Sequence, residues 1–99
     1  MSRLRVGVIG VGHLGRHHAR ILSSMPGVEL VGVVDTDMKH ATEVAAEYGT
    51  RPMLDVRELH GKVDAVIVAV PTEAHREVAV PFLSAGIPAL VEKPLARSL

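Results

Sequence analysis

The chain has 99 residues, 11 basic and 11 acidic side chains for a formal net charge of zero, and no cysteine. A chain this long buries roughly 65% of the surface its unfolded form exposes, which supports one core and not two. The even charge, with no Lys or Arg block, argues against a nucleic-acid surface, and the lack of cysteine excludes a disulfide framework and a thiolate zinc site.

Hydrophobic residues make up 47% of the chain and aromatics only 2%, so the core has to be built from Val, Ile, Leu, Ala and Met. Short β-branched runs between amphipathic stretches fit that composition and predict an α/β layer structure. Leu4 to Ile9 is the first such run and reads as a buried strand ending at glycine. Its glycines, and the lack of a small-residue cleavage site after it, argue against a secretory leader. No stretch approaches a membrane span, and the cytoplasm is the default address.

From His13 to Ser24 the apolar residues Leu14, Ala19, Ile21 and Leu22 recur at near-helical spacing, and Pro26-Gly27 stops that helix. Val28 to Val34 is a second strand. Thr36 or Asp37 can cap a helix that runs to Tyr48, with Gly49 at its C-terminal turn. Thr50 to Met53 is at most a short edge strand, because Pro52 removes a ladder donor. Val56 to His60 offers one helical turn. Ala65 to Val70, apolar on both faces, is a central parallel strand. Thr72 caps a helix to Ala85 that Gly86 ends, and Pro81 inside it implies a kink or an early break. Ala89 to Glu92 is the last strand, closed by Pro94. Right-handed crossovers turn this order into a doubly wound parallel sheet of the Rossmann type, in order 3-2-1-4-5.

The turn Gly10-Val11-Gly12-His13-Leu14-Gly15 has the spacing G-x-G-x-x-G. Alone that spacing is weak, but here a strand precedes it and a helix and a second strand follow. Gly10 makes the tight turn, Gly12 lets a pyrophosphate approach the backbone, and Gly15 lets helix and strand pack closely. The amides at His13 and Leu14 then face the phosphates at the positive end of the helix dipole. Asp35 lies 20 residues past Gly15, at the end of the second strand, where a carboxylate is expected to accept from both ribose hydroxyls. A 2′-phosphate would meet a like charge there, and Thr36, Asp37 and Met38 supply no Arg to offset it. NAD is therefore favoured over NADP.

Two further segments, Ala69-Val70-Pro71-Thr72-Glu73-Ala74-His75 and Val91-Glu92-Lys93-Pro94, complete a pattern that resembles the Gfo/Idh/MocA oxidoreductases. The opening Gly-His-Leu-Gly-Arg-His-His-Ala-Arg-Ile-Leu is similar to that family's first helix, and the likeness runs along essentially the whole chain. The resemblance implies an N-terminal Rossmann domain, a Glu-Lys-Pro signature closing the fifth strand, and a separate C-terminal substrate domain. It implies that Lys93 sits beside nicotinamide and substrate and is the catalytic residue, helping proton transfer from the reacting hydroxyl. It further implies that Glu92 and Pro94 shape the strand end, with a possible cis bond before Pro94, and that Val70, Pro71, Thr72 and His75 line the nicotinamide-ribose side. The implied reaction is hydride transfer between the nicotinamide cofactor and a sugar or polyol hydroxyl. The alternative is a dinucleotide sensor without chemistry, against which the charged Lys93 argues.

The sixth strand and the substrate domain that the resemblance implies would lie beyond Leu99. The alternatives are a piece of a longer two-domain protein and a shortened relative; Leu95 to Leu99 reads as a loop entering a helix, which favours the first, with residues 1–99 as its Rossmann domain. The uncovered fifth strand predicts self-association into a homo-oligomer. Among the six histidines, His13 and His17 are spaced i, i+4 with His18 beside them. That spacing can hold zinc, but no third ligand is near and His13 belongs to the glycine turn, so no metal site is assigned. His40 and His60 are expected to be solvated.

Overall fold

The computed structural model describes residues 3–70 and 75–91, with the backbone alone at His13, Leu14, His75 and Arg76. Among these residues five parallel strands form one sheet in the order β3-β2-β1-β4-β5. They are β1 (Leu4–Ile9), β2 (Val28–Val34), β3 (Pro52–Met53), β4 (Ala65–Val68) and β5 (Ala89–Val91). Three helices connect them, α1 (His13–Ser23), α2 (Met38–Tyr48) and α3 (His75–Ser84), with one 3-10 turn over Val56–Leu59.

Alternation along the strands divides the core in two. Val6, Val8 and Val33 point to the face covered by α1 and α2, where they meet Ala19, Leu22, Val44 and Ala45. Ile9, Val34, Val66 and Val68 point to the opposite face, which Leu59, Ala79 and Phe82 close. Because every strand is parallel, all five carboxyl ends lie along one edge, and that edge carries the turns of interest.

Local signals behave as the residue types require. Asp37 caps α2, its Oδ1 accepting from the His40 amide at 3.3 Å, and Gly49 ends that helix with φ of 69°. Met53 on β3 pairs with Val34 at the sheet edge. The third helix runs through Pro81 rather than breaking at it, and ends within one turn, where the Ala85 amide donates to the Pro81 and Phe82 carbonyls. β4 is two residues shorter than expected: Ala69 still donates to Ile9 at 2.8 Å, and the chain then leaves the sheet over Gly10.

Two histidine expectations are corrected. His60 is not solvated; its ring stacks on Phe82 with centroids 4.2 Å apart and planes within 7°, because Phe82 is buried beneath the end of the 3-10 turn and offers a flat apolar surface. His40 is half-buried, and its Nε2 is enclosed without a hydrogen-bond partner.

At the amino ends of the strands, the Arg5 guanidinium donates twice to Asp64, at 3.2 and 3.3 Å, and the Arg5 amide donates to the same carboxylate at 2.8 Å. Those donors hold the Asp64 carboxyl below its ordinary 3.8. A depressed carboxylate stabilises the fold above its unfolded pKa and loses that contribution as pH falls through the folded value. Asp64→Asn is therefore expected to flatten the loss of stability below about pH 4. Urea midpoints measured across pH check this, and an acid profile identical to wild type would refute it.

Candidate functional site

Between β1 and α1 the chain turns at Gly10, whose φ is 89°, a left-handed value that favours glycine. A Cβ there would lie 2.8 Å from the Ala69 carbonyl oxygen and 2.9 Å from Val70 Cγ1, so the exit of β4 presses directly on the turn. A Cβ on Gly15 would overlap the Gly10 carbonyl oxygen and lie 2.7 Å from its carbon. That close approach is how the first turn of α1 packs on the end of β1. Gly12 is the opposite: a Cβ there would meet nothing within 4 Å. It is the residue that caps α1, and no side chain caps that helix.

The first intrahelical bond runs from the Arg16 amide to the Gly12 carbonyl at 2.9 Å. Helix geometry leaves the amides of the preceding turn, at His13, Leu14 and Gly15, without intrahelical acceptors. They point past Gly12 with the positive end of the helix dipole behind them, which is a phosphate-binding arrangement. An open Gly12 beside uncapped amides fits a pyrophosphate.

Asp35 follows β2 and is half-buried. Its Oδ2 accepts from the Val11 amide at 3.0 Å and its Oδ1 from the Asp37 amide at 2.9 Å. The Gly10 amide donates to the Val34 carbonyl at 2.7 Å, so the end of β2 grips the glycine turn by two bonds. A carboxylate has about four acceptor positions. Two amides leave capacity for the two hydroxyls of a ribose. The Val11 side chain, by contrast, is fully buried in the core.

The structure thus gathers Gly10, Val11, Gly12, Gly15, Asp35 and Val70 at the carboxyl edge of the sheet, with the backbone of His13 and Leu14 between them. Pro71, Thr72, Glu92, Lys93 and Pro94 lie outside the described residues, as do the bond before Pro94 and the side chain of His75. Along α1, His17 Nδ1 receives Arg20 Nη2 at 3.0 Å, and the His17 and His18 rings meet edge-on at 6.3 Å. Among the described residues no group of three His, Asp or Glu side chains could hold a metal. Sequence reasoning did not find the Asp35–Val11 bond. Its partners are 24 residues apart, and no spacing rule connects them.

A parallel sheet whose first strand runs through a glycine turn into an uncapped helix, with a carboxylate closing the second strand, defines a dinucleotide-binding Rossmann domain. The family model described as "Oxidoreductase family, NAD-binding Rossmann fold" matches residues 4–99, and the chain belongs to that family, the Gfo/Idh/MocA oxidoreductases. UDP-N-acetylglucosamine 3-dehydrogenase of Acidithiobacillus ferrooxidans is 45% identical over 94 residues, which cover 95% of this chain and 29% of the relative. Inositol 2-dehydrogenase 1 of Saccharopolyspora erythraea is 42% identical over 100 residues, 96% of this chain and 30% of that protein. The crystal structure of GenD2 from gentamicin A biosynthesis in complex with NAD superposes with a TM-score of 0.88 at 38% identity, over 97% of this chain and 28% of that one. The chain therefore spans about three-tenths of the length of these relatives.

Proposed function

We propose that this chain is the NAD-binding part of a dehydrogenase that transfers hydride between the nicotinamide and a sugar or cyclitol hydroxyl. The observation that carries the reading is the Asp35 carboxylate, fixed at the end of β2 beside the glycine turn with acceptor capacity to spare. The names of the relatives, inositol and nucleotide-sugar dehydrogenases, support a polyol or sugar substrate. No comparison supports the non-catalytic alternative.

In this reading the turn from Gly10 to Gly15 holds the pyrophosphate and Asp35 holds the adenosine ribose. Pro71, Thr72 and His75 line the nicotinamide side, between the exit of β4 and the start of α3. Lys93, with Glu92 and Pro94 shaping the strand end around it, orients the substrate hydroxyl. Its amine helps the proton leave that hydroxyl as the carbon gives up hydride. NAD supplies the hydride acceptor. The same reading has the protein associate with itself. The cytoplasm is the proposed address; among the described residues no helix is long and apolar enough to cross a membrane.

NAD is expected to bind more tightly than NADP, because a 2′-phosphate would be forced against the Asp35 carboxylate. Asp35→Ala should cost about 1–3 kcal/mol of NAD binding as charge-assisted hydrogen bonds are lost, and should narrow the gap between the cofactors. Calorimetric titration of both checks this. Equal affinities in the wild type, or an NADP preference, would overturn the assignment of Asp35 to the ribose.

A further inference from the structure

We propose that Asp35 is also the positioning residue of the glycine turn: one carboxylate, shared between the Val11 and Asp37 amides, sets the shape of the turn before any ligand arrives. The Val11 amide lies between the tight turn at Gly10 and the open Gly12, so its direction governs how Gly12 presents itself. That amide donates to Asp35 Oδ2 at 3.0 Å. The carboxylate is fixed in turn by the Asp37 amide on Oδ1 at 2.9 Å, and Asp37 is itself anchored as the cap of α2. The adjoining backbone bond from Gly10 to Val34, at 2.7 Å, holds β2 against the turn on the other side.

A buried valine side chain adds a constraint, because Val11 is 0% exposed and anchors the turn in the core. The peptide between a core-anchored residue and a left-handed glycine has little freedom left, and the carboxylate removes what remains. A carboxylate held by two amides cannot swing aside to admit a 2′-phosphate, so its rejection of the larger cofactor would be stiff. That last consequence rests on the proposed reading of the ribose site; the positioning role does not.

The test is amide hydrogen exchange on the full chain without ligand, followed by titration with inorganic pyrophosphate, which has no ribose. In wild type the Val11 amide should exchange at least tenfold more slowly than in Asp35→Ala, while the Val8 and Ile9 amides within β1 keep their wild-type rates. A merely destabilising change would speed all three together. Asp35→Asn preserves the side-chain shape but replaces one acceptor oxygen by a donor, so the Val11 or the Asp37 amide should speed up. Asp37→Ala keeps the amide that holds Oδ1 but removes its anchor on α2, so the Val11 amide should speed up by less than in Asp35→Ala.

Loss of a negative charge would by itself tighten pyrophosphate binding. The positioning role predicts the opposite, a several-fold weaker affinity in Asp35→Ala. Val11 exchange unaffected in both Asp35 variants, or pyrophosphate bound equally or more tightly, would overturn the proposal. A wild-type chain that binds no pyrophosphate would overturn the phosphate-binding turn instead, and the exchange result, measured without ligand, would still decide the role of Asp35.

Discussion

Gly15→Ala is expected to abolish measurable NAD binding and to lower stability by about 3 kcal/mol, the upper end of what overpacking a filled interior costs. The added methyl would overlap the Gly10 carbonyl, which is backbone on both sides of the contact and has no flexible end to give way. Relief requires α1 to move off β1. That movement drags Ala19 and Leu22 out of the core they share with Val8 and Val33, and takes the uncapped amides away from Gly12. Gly12→Ala is the informative partner. Its methyl meets nothing and its φ of −69° suits alanine, so the fold should keep its wild-type urea midpoint while the pyrophosphate approach is obstructed. Stability lost at one glycine and binding alone lost at the other would show that the two serve different ends. A wild-type midpoint for Gly15→Ala would show that the helix can shift freely, against the packing described here.

The second large effect concerns Lys93 and is read in the complete dehydrogenase that the proposed function implies. Lys93→Ala should lower kcat/KM for the alcohol substrate by a factor on the order of 10² or more, the usual consequence of losing a positioned proton-transfer group. NAD affinity should change far less, since the proposed reading assigns most of it to the glycine turn and Asp35. A fall confined to KM would assign Lys93 to substrate binding alone. Undiminished turnover would make it a solvated lysine at a strand end.

Much of this architecture is legible in the sequence because parallel strands and glycine turns leave local marks. The β-branched runs at Val28 to Val34 and Ala65 to Val68 announce buried strands, and alternating helices fix the order of the sheet. Gly10, Gly12 and Gly15 announce the turn, and Asp37 and Gly49 bracket α2 at the positions where a cap and a left-handed residue are needed. What stays hidden depends on contacts between distant segments. His60 looks like a polar residue at a turn end until Phe82 is brought beneath it. Ala69 and Val70 read as strand because nothing local tells that the chain must bend over Gly10. Asp35 reads as a ribose ligand, and its hold on Val11 arises only when β1 and β2 lie side by side.

The division of the core between the two faces of the sheet bears on how the chain acquires its structure. Among the described residues, every buried member of the α1–α2 face except Ile67 lies between Val6 and Ala45, whereas the opposite face also draws on Leu59, Val66, Val68, Ala79 and Phe82. Neighbouring segments meet at low loop-closure cost, so the first face can be nearly complete once the chain as far as Ala45 has emerged from the ribosome. The second cannot close until α3 arrives with Phe82. During synthesis one side of the nascent sheet is therefore sheltered early, while Ile9 and Val34 on the other remain open to unwanted partners. Exposed strands of that kind are the aggregation-prone species of stepwise folding, and a substitution that delays α3 should show itself first as lower yield.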